Sequence, residues 1–339
     1  MFQKLHIKLA IITLSGCITA CATPDLVPEQ LTKDDLLREQ TEQFKQALTY
    51  QNKLNARLAE VAYPLLKGSL EDCGKRTRFS IGSFLHKSSE YPKEQHTATT
   101  ELYGNSDKVQ ILYALNAGAS QGKLFKGDLI LKINKQSIPD NSTTAAIKIL
   151  KAAISDGAKV KLLVERQNET LTVAIQPEKV CDYSVVLSPS ETINGYADGG
   201  RIIITSGLMR FAADNDQLAL IIAHELAHNT LGHIPKRLSN GALGMVIDIV
   251  LTSSGFPSPL LATAIGANLY SQAFETEADL EAIRLLHNAG YNIKGLDNFW
   301  REMAMLHPSS ITHNQSISHP TTVERALSIR QKIKELEKN

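Results

Sequence analysis

The sequence is short of three things: cysteine, aromatic side chains and net charge. Its 339 residues include four cysteines, 6% aromatics, and 36 Lys and Arg against 35 Asp and Glu, for a net charge of +1. So balanced a chain offers no field to a polyanion, which excludes nucleic acid as a partner class. Apolar runs are short as well. Residues 9–14, 243–251 and 260–269 all fall below the roughly 20 residues that span a bilayer as a helix. Neither Cys73 nor Cys181 sits in a Cys-x-x-Cys spacing, so neither is read as a zinc thiolate. Residues 31–66 contain no Gly, and Pro only at Pro64. Hydrophobic content, at 43%, is ordinary for a globular protein, and the length allows two domains with a sizeable core.

The N-terminus reads as a targeting segment rather than as part of the fold. Lys4, His6 and Lys8 precede the apolar run at 9–14, and Leu14-Ser15-Gly16-Cys17 follows. That phrase resembles the lipobox of bacterial lipoprotein signal peptides. It implies a signal over 1–16 and a diacylglyceryl anchor on Cys17. Ile18-Thr19-Ala20-Cys21 fits the pattern less well and makes Cys21 the alternative. An ordinary secretory signal cleaved near Ala20 or Ala22 is the other reading. The lipoprotein resemblance implies an envelope protein facing the periplasm, and the lack of Asp after either Cys implies the outer membrane. Outside the cytoplasm, Cys73 and Cys181 are expected to form a disulfide.

Residues 17–72 read as a tether and one long amphipathic helix. Leu37, Phe44, Leu48, Leu58 and Leu65 recur near helical spacing, with a break expected around residues 64–68. The apolar stripe is expected to pack on the C-terminal domain. Residues 73–181 change character, with β-rich runs at 108–115, 128–133, 159–166 and 169–175 and a helical run at 143–154. Ala117-Gly118-Ala119-Ser120, then Leu124 to Ile130 with Gly127-Asp128, resembles a bacterial PDZ domain. Phe79, Ser80, Ile81 and Gly82 resemble its carboxylate-binding loop, with Gly82 turning backbone donors outward. A small β-rich spacer without a ligand is the alternative.

The chemistry lies in residues 182–339. His224-Glu225-Leu226-Ala227-His228 follows Leu218 to Ala223, an apolar run free of Gly and Pro that reads as a buried helix. His224 and His228, four apart, share a helix face and can offer two nitrogens to one ion. Glu225 can then act on a water at an open ligand position. Further on, Glu275 and Asp279 are again four apart on a helix. Glu275 can supply a third ligand, and Asp279 can accept a hydrogen bond from a ligating His. His233 does not match the third histidine of HExxHxxGxxH metalloproteases, so it is assigned a structural place at the helix end. Residues 194–200 read as a turn-rich loop, 201–205 as a strand, and Ser206 and Asp214 or Asp216 as helix caps.

Together these phrases resemble the zinc metallopeptidase family that includes the CAAX prenyl endopeptidases and HtpX. The resemblance rests on Gly199-Gly200 with the strand after it, on Ser206-Gly207-Leu208, on His224 to His228, on Glu275 to Asp279, and on Ser318-His319-Pro320 with Arg325. It implies one Zn2+ per chain held by His224, His228 and Glu275, with Glu225 as general base. It also implies that His319 lies over the metal, either donating to the oxyanion or plugging the site, with Arg325 supporting it. The expected fold is α+β and multidomain: a mainly helical zincin-like domain, a PDZ domain and the N-terminal helix. The expected function is an envelope endopeptidase that cleaves misfolded or unassembled proteins. Its partners would be unfolded or C-terminal peptide segments of envelope proteins, laid along the edge of strand 201–205, and a membrane reached through the lipidated Cys. The alternative is a chaperone-like or scaffold lipoprotein with a latent zinc site.

Overall fold

A computed structural model describes residues 31–104, 107–234, 272–306, 308, 311 and 323–338. Cys17, Cys21, the apolar stretches 243–251 and 260–269, and His319 lie outside the described residues. The fold is α+β, and no helix among the described residues is long and apolar enough to cross a membrane. The chain forms two compact units, Met1–Gln40 and Thr41–Asn339. In the first, Thr32 and Asp35 cap a helix reciprocally. The Thr32 hydroxyl accepts from the Asp35 N–H at 3.1 Å, and the Asp35 carboxylate accepts from the Thr32 N–H at 3.1 Å.

That helix, α1, is Lys33–Gly68. Within the second unit it buries Leu54, Leu58, Val61, Ala62, Tyr63, Leu65 and Leu66. It runs through Pro64 and ends at Gly68, within the 64–68 range expected for its break. An interior proline costs roughly 3 kcal/mol, and burial of the turn that contains it offsets this. Arg57 leaves the same helix to donate to the carbonyls of Met209, Ala212 and Asp214 at 2.8–3.1 Å.

The strands and helices that follow are β1 (Thr77–Ser80), β2 (Ser83–His86), α2 (His96–Tyr103), β3 (Gln110–Ala114), β4 (Leu129–Ile133), β5 (Gln136–Ser137), α3 (Thr143–Ala153), β6 (Val160–Arg166) and β7 (Glu169–Ile175). The order β2-β3-β4-β6-β7, with β5 paired to β4, makes one six-stranded sheet. Its core contains Ile111, Ile130, Leu162, Val164 and Ile175 from the strands and Ala146 and Leu150 from α3. The Ser142 hydroxyl caps α3 by accepting from the Ala145 N–H. Buried Asp128 is forked by Arg166 at 2.7 Å through both carboxylate oxygens.

β1 pairs antiparallel with β8 (Glu178–Cys181) and closes this region at its base. Cys73 and Cys181 are joined by a disulfide across a sequence separation of 108, and both are buried. Beyond it come β9 (Ser184–Ser188), β10 (Gly195–Ala197), β11 (Arg201–Thr205), α4 (Ser206–Phe211) and α5 (Asn215–Thr230). After residues 235–271 follow α6 (Gln272–Asn288), α7 (Asp297–Leu306) and α8 (Val323–Leu336). The three strands form a sheet in the order β10-β11-β9. Two sequence expectations change here. Residues 194–200 include a strand rather than only a loop. The 201–205 strand is central, flanked parallel by β9 and antiparallel by β10, so it has no edge for a peptide; among the described residues the edges of this sheet are β10 and β9. Thr205, not Ser206, caps α4, its hydroxyl accepting from the Leu208 N–H.

The chain-entropy model assigns closure of a loop this long about 4–5 kcal/mol. A Cys73→Ser/Cys181→Ser protein should therefore show a lower denaturant midpoint and a steeper slope, because its unfolded chain is less compact. An unshifted midpoint would mean that the bond adds nothing to the fold.

Candidate metal centre

Helix α5 is apolar on every side. Leu218, Leu220, Ile222, Ala223, Leu226 and Ala227 are all fully buried, so the helix is a core element rather than a surface one. Asp214 caps it, its carboxylate accepting from the Gln217 N–H at 2.8 Å at the positive end of the helix dipole. Its side chains therefore have fixed surroundings, and the polar ones must find partners inside the protein. His224, Glu225 and His228 are each at least 99% buried.

Helix α6 packs along α5 and brings Glu275 to the two histidines. His224 Nε2 lies 3.0 Å from His228 Nε2 and 3.4 Å from Glu275 Oε2, and His228 Nε2 lies 3.5 Å from Glu275 Oε1. A tetrahedral centre with bonds of about 2.0–2.1 Å has donors about 3.3–3.4 Å apart. The three donors, two imidazole nitrogens and a carboxylate, fit such a centre in both spacing and chemistry.

The charges agree. Glu225, Glu275 and Asp279 are buried, and the buried cation beside them among the described residues is Arg325. Its Nε is 2.6 Å and its Nη2 2.8 Å from the Asp279 carboxylate, and its Nη1 is 3.0 Å from Glu275 Oε2. One guanidinium does not balance three carboxylates, and a divalent cation held at the donor cluster would supply the missing positive charge. Burial works against charge on His224, but hydrogen bonds and the charges of Asp279 and Glu275 outweigh it and push its pKa up to about 9. The same two carboxylates, against the same burial, raise that of Arg325. The site attracts cations.

Each histidine also has a partner behind its ring. His224 Nδ1 is 2.9 Å from Asp279 Oδ1, the contact that the spacing of Glu275 and Asp279 implied. His228 Nδ1 is 2.8 Å from His233 Nδ1, whose Nε2 is 3.1 Å from Glu277 Oε2. His233 is thus behind a histidine donor rather than among the donors. Arg325 reaches Glu275 and Asp279. The sequence had it support His319, which lies outside the described residues. Trp300 gave no signal in the sequence beyond being the only tryptophan. It is stacked under the Arg325 guanidinium at 4.1 Å, and its ring centroid is 5.6 Å from that of His224.

Gly195 was also missed. A Cβ there would stand 2.9 Å from Ile221 Cγ2 and 3.3 Å from Glu225 Oε1, so glycine lets β10 lie directly over the Glu225 carboxylate. Asn229, next to His228, holds the far end of this hairpin. It accepts from the Gly199 N–H at 2.7 Å and donates to the Arg201 carbonyl at 3.0 Å.

The expected loop at Phe79, Ser80, Ile81 and Gly82 lies elsewhere and is only half a loop: Phe79 and Ser80 end β1, paired with Lys179 and Glu178, and Ile81 and Gly82 link it to β2. Gly82 has φ +69° and packs against Gly118 so closely that a Cβ would approach its Cα to 2.7 Å. Its N–H donates to the Ser80 hydroxyl at 3.1 Å rather than turning outward, and its carbonyl accepts from the Leu115 N–H at 2.7 Å.

Comparison with known proteins bears on the same region. Residues 158–333 match the profile of Peptidase family M48. The chain is 26% identical over 129 residues to the β-barrel assembly-enhancing protease of Escherichia coli K12, covering 34% of this chain and 26% of that protein. It is 29% identical over 161 residues to the metalloprotease LoiP of the same organism, covering 45% of this chain and 62% of LoiP. It is 25% identical over 150 residues to the mitochondrial metalloendopeptidase OMA1 of Saccharomyces cerevisiae, covering 42% and 44%. The matches thus span from about a quarter to under two thirds of these relatives.

Removing Arg325 would strip the buried Asp279 and Glu275 of their guanidinium partner, a loss that typically costs about 3–5 kcal/mol. Arg325→Met should therefore lower the unfolding free energy of the metal-free protein by that order, with partial recovery on adding zinc. Stability equal to wild type without metal would show that the guanidinium does not brace the site.

Proposed function

Since the chain belongs to Peptidase family M48, we propose that it is a zinc-dependent endopeptidase of the bacterial envelope. One observation carries this reading: His224, His228 and Glu275 converge on a single point, with Glu225 beside it on the same buried helix. When bound there, zinc supplies a Lewis acid that polarises the scissile carbonyl and acidifies water.

The other steps belong to the chain. Glu225 takes the proton from the attacking water and delivers it to the leaving amine. Asp279 fixes the tautomer and direction of the His224 ring, and Arg325 holds Asp279 and Glu275 in place. The substrate lies extended along β10. The Thr205 N–H donates to the Asn194 carbonyl and the Asp198 N–H to that of Arg201, so inward bonding falls on Asn194, Tyr196 and Asp198. The alternate residues Gly195 and Ala197 point their N–H and C=O groups away from β11. The Gly195 N–H donates to the Asn194 side-chain oxygen at 3.0 Å, and a peptide backbone pairing with the Gly195 carbonyl and with Ala197 would run beside the strand that covers Glu225.

Residues 73–181 we read as a PDZ domain that recruits or gates clients. The six-stranded sheet with β2 at its edge and α3 packed on it supports this. The signal over 1–16, the lipid on Cys17 or Cys21, the outer-membrane location and the role of His319 over the metal rest on sequence resemblance. The likeness to envelope proteases such as the β-barrel assembly-enhancing protease points to misfolded or unassembled envelope proteins as substrates.

The decisive experiment compares wild type with Glu225→Gln on an unfolded model protein, with zinc content measured on both. The variant should keep its zinc and lose about 100- to 10,000-fold in turnover. Equal turnover would end the proposed mechanism. A zinc-loaded wild type that cleaves nothing would favour a scaffold lipoprotein instead.

A further inference from the structure

The two histidine donors are backed differently, and the difference fixes the protons along a chain that ends at the surface. His228 faces the other donors with Nε2, 3.0 Å from His224 Nε2 and 3.5 Å from Glu275 Oε1. An imidazole that offers a lone pair at Nε2 and is neutral carries its proton on Nδ1. That proton points at His233 Nδ1, 2.8 Å away, which must therefore accept. His233 then carries its own proton on Nε2, and this nitrogen is 3.1 Å from Glu277 Oε2, an acceptor. Every hydrogen bond has one donor and one acceptor only if both rings are neutral and in these tautomers.

The local fold is built to hold this arrangement. Gly232, with φ +68°, turns the chain back at the end of α5, so that His233 folds under the last turn. The His233 ring is fully buried and stacks on Phe274 with centroids 4.5 Å apart and planes at 19°. Glu277 is on α6, between Glu275 and Asp279, but on the opposite side of that helix. Its side chain is half exposed, at 51%. One helix therefore supplies a metal donor, the carboxylate behind His224 and the carboxylate that anchors the ring behind His228.

We propose that His233 and Glu277 are a positioning pair for His228. Glu277 selects the His233 tautomer, and His233 in turn presents Nδ1 as the acceptor that aims His228 Nε2 at the metal. This rests on the metallopeptidase reading given above and deepens it. His224 is backed by an anion braced by Arg325, and His228 by a neutral ring whose anchor is a surface carboxylate. His228 is thus the donor whose setting depends on a group that solvent can reach.

Zinc affinity, measured by competition with a chromophoric chelator, tests the pair independently of cleavage. His233→Phe keeps the stack on Phe274 but removes the acceptor, and should weaken zinc binding by about 10- to 100-fold. His233→Asn places an amide oxygen where Nδ1 was and should stay within about threefold of wild type. Glu277→Ala should weaken binding less than His233→Phe does, and Glu277→Gln, whose oxygen still accepts, should restore it. Nitrogen-15 spectra of histidine-labelled, zinc-loaded wild type should show His228 protonated at Nδ1 and His233 at Nε2. They decide the matter even if His233→Phe fails to fold. A His233 proton on Nδ1, or folded His233→Phe with wild-type zinc affinity, would overturn the pair while leaving the peptidase reading intact. A wild type that takes up no zinc would overturn both.

Discussion

Everything in the C-terminal half depends on a charge problem solved in the interior. Glu225, Glu275 and Asp279 are buried, and carboxylates in such a place are tolerated only when paired. Arg325 pairs two of them in a fully buried forked contact, and the donor cluster accounts for the rest if it holds a divalent ion. The helices are arranged to make this possible. α5 brings the histidines and Glu225, α6 the two acids, and α8 the guanidinium, while α7 contributes Trp300 as a flat apolar floor under the cation. The interior is at once a core and an ion site, and the metal is then part of the fold's stability as well as of its chemistry.

A second constraint ties the site to the remainder of the second unit. Asn229 follows His228 directly and clamps the Gly199 turn, so β10 is registered to the same helix that bears the donors. Arg76 reaches that turn from the other side. It donates to the Gly199 carbonyl at 2.6 Å and to the Asp182 carbonyl at 3.1 Å, with its guanidinium over Tyr183. Arg76 lies three residues after the disulfide-bonded Cys73, and Asp182 directly after Cys181. The base of the β-rich region and the turn beside the metal site are therefore joined by short hydrogen bonds through the exposed Arg76 side chain.

The sequence made the helical part of the site legible for a simple geometric reason. His224 and His228, like Glu275 and Asp279, are four apart, and that spacing places side chains on one face wherever the helix goes. The strands at 160–166 and 169–175 were equally visible, because alternation and β-branching persist over seven residues in each. What stayed hidden is non-local. β10 has only three residues, amid Asn, Asp and Gly that signal turns, and becomes a strand only because β11 pairs with it. The contact of Arg325 with Asp279 spans 46 residues, and no periodicity announces it. The helix end was expected over 64–68, and burial of Leu65 and Leu66 carries the helix through Pro64 to the far end of that range.

His233 is the most instructive of these residues. Spacing alone excluded it from the donor set, and the structure places it behind a donor. Its position follows from Gly232, whose positive φ ends the helical periodicity at the point where that periodicity would have turned the ring away from His228. A helix that continued would have sent residue 233 about 140° around the axis from His228, since each residue advances about 100°. The short distance between the two rings exists because the helix stops. Sequence patterns that presume continued helix see two unrelated histidines there. The left-handed glycine between them is what makes a hydrogen-bonded pair out of a spacing that periodicity would separate.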